Sequence, residues 1–198
     1  MTMERRALVR PLEIRTGDEQ RTVVGYAAVF GSAADIGGQF REIIAPGAFR
    51  DAVSGDVRAL IDHDSGRVIG RTKAGTLRLS EDDVGLAVEI DLPDTQDGRD
   101  LATLIARGDI SGMSFGFIVT RQQWDETGDI PTRTIEAVDL REVSAVAFPA
   151  YDGTSIALRA LETARREKRQ HNFRAAANRV LARKVSIDLR ARRLVSKA

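Results

Sequence analysis

The sequence contains no cysteine. That excludes disulfides, thiolate metal sites and a cysteine nucleophile, and it fits a reducing compartment. Aromatic residues make up only 5% of the 198 residues, so a core has to be built from Val, Ile, Leu and Ala. No stretch approaches the roughly 18 consecutive apolar residues that a membrane helix needs, and no membrane partner is expected. The opening MTMERRALVR is charged and lacks an apolar segment behind it, so a signal peptide is not expected either. Histidine occurs twice, as His63 and His171. No metal-ligating cluster is visible, and Gly25 and Gly31 do not make the G-x-G-x-x-G spacing of a phosphate loop. No metal and no cofactor is expected.

What is present is divided by charge. The formal net charge is +1, yet residues 159–198 hold 13 Lys/Arg against three acids, Glu162, Glu167 and Asp188. Residues 1–158 are correspondingly acidic, with 17 basic and 26 acidic residues. Two parts are expected: a body over 1–158 and a basic helical tail over 159–198, the latter suited to an anionic partner.

The body reads as α+β, mainly β, with seven to nine short strands closing into a barrel or sandwich. Strands are expected over Thr22–Phe30, Phe40–Ile44, Val57–Asp62, Gly75–Ser80, Leu86–Leu92, Met113–Thr120, Thr132–Ala137 and Leu140–Phe148, the last stopped by Pro149. Ala45 to Phe49 opens a short helix that Gly55 ends. A longer helix capped by Asp94 or Thr95 runs to Arg107, with Leu101, Leu104 and Ile105 at helical spacing. In the tail, 155–169 and 173–195 read as helix.

The sharpest chemical signal is Gly112-Met113-Ser114-Phe115-Gly116, which matches G-x-S-x-G. The nucleophile elbow of α/β-hydrolases needs a strand before the serine and a helix after it. Here a helix precedes the serine, and an alternating, strand-like run follows it. The hydrolase order of serine, acid, histidine also fails, because only His171 in the basic tail follows Ser114. A cytoplasmic esterase of that kind is thereby disfavoured. The remaining base is His63 in Ile61-Asp62-His63-Asp64, at the end of an apolar strand. A serine hydroxyl needs such a base within hydrogen-bond reach, and the base needs an acceptor on its other nitrogen.

Four segments in order resemble tailed-phage prohead (capsid-maturation) serine proteases over roughly residues 8–158. They are Gly25-Tyr26-Ala27-Ala28-Val29-Phe30 with Glu42 to Phe49; Leu60 to Asp64 with Ile69-Gly70-Arg71-Thr72; Ile110 to Phe117; and Leu140 to Ala150. The resemblance implies a herpesvirus-protease-like fold, a small closed β-barrel of about seven strands ringed by helices. It implies a serine endopeptidase that cleaves scaffold, or a scaffold-like segment of the major capsid protein, and itself as well. Such an enzyme acts inside the immature prohead in the cytoplasm of the bacterial host. Ser114 maps to the nucleophile and His63 to the base. For the third member Glu142 comes first, Asp139 second, and Asp62 or Asp64 after them; paired with Arg141 or Arg133, Glu142 would be only a surface carboxylate. Arg71 is a candidate beside the backbone oxyanion donors. A homodimer is plausible by the same resemblance. The basic tail would bind acidic scaffold or, less in keeping with its single aromatic Phe173, nucleic acid. The alternative is a non-catalytic scaffold-binding assembly protein of the same fold.

Overall fold

The computed structural model describes residues 3–8, 10–17, 21–148, 161–176, 178 and 179. The chain divides into two compact units, Met1–Ala157 and Leu158–Ala198. In the first unit eleven strands are described: β1 (Glu4–Leu8), β2 (Glu13–Thr16), β3 (Arg21–Val29), β4 (Ala34–Ile36), β5 (Phe40–Ile44), β6 (Arg58–Ile61), β7 (Asp64–Arg71), β8 (Leu77–Glu81), β9 (Gly85–Asp91), β10 (Gly112–Asp125) and β11 (Thr132–Val146). One α-helix, α1 (Gln96–Arg107), and two 3-10 turns accompany them. In the second unit a helix, α2, spans 161–176. The tail residues 155–160 and 180–195 that were read as helix lie outside the described residues, as does Pro149.

The expected closed barrel ringed by helices is not formed. The strands make two sheets: a seven-stranded one in which β1-β10-β11-β5-β4 run in order with β6 and β7 branching from β11, and a four-stranded one ordered β2-β3-β9-β8. The cause is the length of β11. Its fifteen residues give one edge to β10 and divide the other between two parallel partners, β5 along Thr132–Ile135 and β6 along Glu142–Ala145. A strand shared in this way branches the sheet instead of closing it. The same length explains why the two predicted strands over 132–137 and 140–148 are one.

Alternation sets the core. Met113, Phe115 and Phe117 of β10 point inward, as their spacing predicts, and join Val23, Ala27, Leu86, Val88 and Ile90 of the second sheet. Phe49 meets Phe115 edge to face at a centroid separation of 5.5 Å, and Phe115 stacks on Phe117 at 4.8 Å. Helix α1 starts where its cap predicts: the Thr95 hydroxyl accepts the Gly98 N–H at 3.3 Å, and Gly108, with φ of 82°, ends the helix in the left-handed region. The helix buries Leu101, Ala102 and Ile105. The short helix expected after Ala45 is reduced to turns and a 3-10 turn at Ala52–Ser54, closed by Gly55 as expected.

Four strands escape the sequence reading: β1, β2, β4 and β7. Of these β1 is the most instructive, because Glu4-Arg5-Arg6 is a poor strand sequence. It is held by a buried ion network. The Arg6 guanidinium donates to Glu42 Oε1 at 2.6 Å and to Glu4 Oε2 at 2.8 Å. Arg133 donates to Glu4 Oε1 and Oε2 and to Glu42 Oε2, all at 2.8 Å, and its Nε reaches Gln122 at 2.6 Å. All four charged residues are at most 5% exposed. Two acids and two bases balance, and each nitrogen named here has an acceptor, which offsets the cost of taking four charges out of water.

Breaking the network should therefore cost more than an ordinary surface pair. Arg133→Ala leaves Glu4 and Glu42 with fewer partners in a dry site, and a loss of about 3–5 kcal/mol is expected in urea unfolding. Acid should act through the same residues. Burial pushes the Glu4 carboxyl up, but Arg133 and Arg6 outweigh burial and hold it below its ordinary value of 4.5. A depressed folded value stabilises the protein fully above about 4.5 and loses that contribution as pH falls through the lowered value. Wild type should thus lose stability with falling pH in that window more steeply than Glu4→Gln, by urea melts at a series of pH values.

Candidate active site

The β6–β7 connection carries His63. Ile61 pairs with Asp64, so only Asp62 and His63 make the turn, and both have positive φ, 47° and 61°. Two consecutive positive values are the signature of a type I′ hairpin turn, which favours Asn, Asp and Gly. Placing His63 in the left-handed region costs about 1–2 kcal/mol. The turn is clamped from β11 and the residue after it: the Asp62 N–H donates to Ala145 O at 3.0 Å, and Asp62 Oδ1 accepts the Ala147 N–H at 3.0 Å. Strain maintained by such clamps marks a position kept for its side chain.

The outer face of the seven-stranded sheet supplies the other groups. On this face Ala7, Ser114 and Ser144 form one cross-strand row, and Arg5, Gly116 and Glu142 form the next. A bulge decides which face Glu142 takes. Gly116 pairs with Glu142 but Phe117 pairs with Leu140, so Arg141 is the extra residue. Leu140 points into the core before the bulge, and Val143 and Ala145 do so after it. Strict alternation from Leu140 would have turned Glu142 inward. The bulge turns it outward to Ser114's side, a known use of bulges in aiming side chains.

The imidazole and the carboxylate meet there. His63 Nδ1 lies 2.7 Å from Glu142 Oε1. An ionised carboxylate only accepts, so the proton is assigned to Nδ1, leaving Nε2 as a free base. Glu142 Oε2 accepts the Ser144 hydroxyl at 2.6 Å. The final glycine of G-x-S-x-G makes room: a Cβ on Gly116 would stand 2.4 Å from Glu142 Oε1. The motif is therefore not a strand-to-helix elbow. It is a strand in which Gly116 leaves space for the carboxylate.

Ser114 and His63 line one open cavity together with Arg5, Ala7, Asp62, Val146, Ala147 and Phe148. Ser114 is 2% exposed, and its hydroxyl donates to Arg6 O of β1 at 2.8 Å. Arg5 is the cation of this cavity. Its Nε is buried without a hydrogen bond and lies 3.9 Å from Glu142 Oε1. Ser114 thus shares a cavity with an imidazole whose Nδ1 is held by a carboxylate, the groups that acyl transfer to serine uses, while its own hydroxyl is given to Arg6 O. Among the described residues no group of three or more His, Asp or Glu is placed to hold a metal.

The structure brings Ser114, His63 and Glu142 to one place and leaves other candidates outside it. Asp139 is half-exposed and bonded to Arg141, and Asp64, at the start of β7, accepts the Gly66 N–H. Asp62 is engaged by Ala147 N. Arg71 lies at the opposite end of the β6–β7 hairpin from His63, paired with Arg58 in register, and forks onto Asp56 through two contacts of 2.7 Å. That pair draws the Asp56 carboxyl down to about 2. Arg133 belongs to the buried network and does not pair with Glu142. Sequence reasoning missed Ser144 and Arg5. Ser144 stands two residues after Glu142, a spacing that would have placed it on the same face of a strand. Arg5 had no signal, because β1 itself was not read.

A mainly β protein with such a site is a serine peptidase in class. The chain belongs to the caudovirus prohead serine protease family, whose model matches residues 10–169. It is thus a phage capsid-maturation protease, of a kind that works inside the prohead. The structure of the bacteriophage T4 capsid assembly protease gp21 is similar, with a TM-score of 0.54 and 13% identity over 74% of this chain and 98% of that one. At that identity the likeness speaks for the fold. No curated protein sequence matches the chain.

The strained turn generates a test. Glycine accepts the backbone of position 63 without penalty, so His63→Gly should abolish cleavage while lowering stability by no more than about 0.5 kcal/mol, the relieved strain offsetting the lost hydrogen bond. Urea melts and a cleavage assay on the same preparation measure both.

Proposed function

We propose that Ser114 is the nucleophile, His63 the general base and Glu142 the residue that orients His63, in an endopeptidase that cleaves the scaffold protein or a scaffold-like segment of the major capsid protein. The observation that carries this reading is the 2.7 Å contact between His63 Nδ1 and Glu142 in the cavity that Ser114 lines. In the first step the Ser114 hydroxyl leaves Arg6 O and turns to the imidazole. Its oxygen bonds to the scissile carbonyl carbon, and its proton passes to His63 Nε2. The tetrahedral adduct collapses by breaking the C–N bond, and His63 returns the proton to the leaving amine. Water then attacks the acyl-serine with His63 again as base, releasing the carboxylic acid and restoring the hydroxyl. Glu142 stabilises the imidazolium formed in each half without taking its proton.

The partners follow from family membership. Capsid and scaffold proteins are what such a protease meets in the prohead. The basic segment 159–198 suits an acidic scaffold and would recruit the enzyme by charge, so this association should weaken with salt. Self-cleavage is placed at residues 159–169, where the body gives way to the basic segment. The enzyme would be made in the host cytoplasm and enclosed with its substrates. Among the described residues no helix is long and apolar enough to cross a membrane.

Co-expression with the neighbouring capsid and scaffold proteins, wild type beside Ser114→Ala, tests the reading by intact mass. Cleavage of scaffold or of the basic segment in wild type, with none in Ser114→Ala, is expected. Equal cleavage in both would remove Ser114 as nucleophile. No cleavage in either would favour a non-catalytic assembly protein.

A further inference from the structure

Two serines face each other across β10 and β11. Ser114 and Ser144 are direct cross-strand partners, so both side chains lie on the outer face of the sheet. Their surroundings separate them. Ser114 lines the cavity, whereas Ser144 is fully buried and gives its hydroxyl proton to Glu142 Oε2 at 2.6 Å.

Glu142 needs this donor. Its side chain is only 7% exposed, and it extends across the strand to lie over Gly116. One oxygen, Oε1, receives His63 Nδ1, with Arg5 Nε further off at 3.9 Å. The other oxygen has Ser144 as its donor. A carboxylate held at both oxygens cannot rotate about its terminal bond, so Oε1 stays aimed at the imidazole. A carboxylate released at Oε2 would be free to swing, and Gly116 has no side chain to stop it.

We propose that Ser144 is a positioning residue for the reaction. By holding Glu142 Oε2 it fixes Glu142 Oε1 on His63 Nδ1, and through it the tautomer and aim of the base. The inference rests on Ser114, His63 and Glu142 acting as proposed above. It adds a fourth member that touches neither substrate nor reacting atoms. The proton committed to Glu142 also keeps Ser144 from competing with Ser114 for His63. Two adjacent serines thus take different roles because one is beside a carboxylate and the other beside a cavity.

The test uses the full chain and a fluorophosphonate, which phosphonylates an activated serine with loss of fluoride and needs no knowledge of the natural substrate. Wild type should be labelled at Ser114, located by mass. Ser144→Ala should be labelled about tenfold more slowly at saturation, with the half-saturating probe concentration unchanged, because aim is lost and binding is not. Proton NMR of the same samples supplies a readout that packing alone would not move. The downfield Nδ1–H resonance of His63, present in wild type, should weaken or vanish in Ser144→Ala while the remaining spectrum stays that of the fold. On a Glu142→Ala background, adding Ser144→Ala should cost nothing more, as expected of residues acting through one contact.

Labelling within twofold of wild type in Ser144→Ala, with the resonance intact, would overturn the positioning role and leave Ser114 and His63 standing. Additive losses in the double variant would overturn it too, by showing that Ser144 acts elsewhere. Wild type unlabelled at Ser114 would instead bring down the proposed nucleophile, and with it this inference.

Discussion

The two-sided pairing of β11 is the constraint on which the rest depends. Its C-terminal half bonds β10 on one edge and β6 on the other. Ser114 lies on the first neighbour, Glu142 and Ser144 on the strand itself, and His63 just beyond the end of the second. Three consecutive strands of one sheet therefore set the distances among all four groups. Strand spacing of about 4.8 Å leaves little room for error, since backbone hydrogen bonds hold each strand in register. The site is precise because it is built on a ladder and not on free loops.

That ladder is anchored at its far end by charge. Arg133 lies near the start of β11, and with Arg6, Glu4 and Glu42 it ties β11 to β1 and β5. Buried ion pairs of this kind seldom add stability over well-packed apolar residues, but they punish mispairing, because a slipped strand would leave a charge unpaired in a dry site. Strand β1 gains most. It is an edge strand of charged residues, and its Arg6 carbonyl holds the Ser114 hydroxyl. The network that registers β1 thus also reaches Ser114. At the other end of the site, strain is accepted: the left-handed His63 is maintained by two hydrogen bonds from Asp62 to the end of β11 and the residue just beyond it.

Much of the fold was readable where one rule governed a segment. Thr95 and Gly108 mark the ends of α1, and inward Met113, Phe115 and Phe117 follow from period two. Phe40–Ile44 matches its expected bounds. Reading failed where tertiary contacts overrode local preference. Strand β1 exists because its charges find partners up to 129 residues away. The barrel was expected from a resemblance; the branching at β11 depends on which edges meet, and alternation carries no information about edges. The sequence reading splits residues 132–146 around Val138-Asp139, a break that β10 bridges by pairing with both residues.

By itself the sequence determined the chemistry on offer. It contains one histidine in the acidic body, a glycine-flanked serine after it, several acids beyond, and no thiol. These are facts of composition and order, and with the resemblance to prohead proteases they single out Ser114 and His63 as the candidates. Only the tertiary structure decided which acid meets His63. Asp139 and Glu142 are three residues apart on one strand, and period two places them on opposite faces without saying which faces the serine. The bulge at Arg141 resets the alternation, so that Glu142 joins Asp139 on the outer face, and it is Glu142, level with Gly116, that reaches His63. A bulge is a property of two paired strands, settled by where their hydrogen bonds fall, and neither strand encodes it alone.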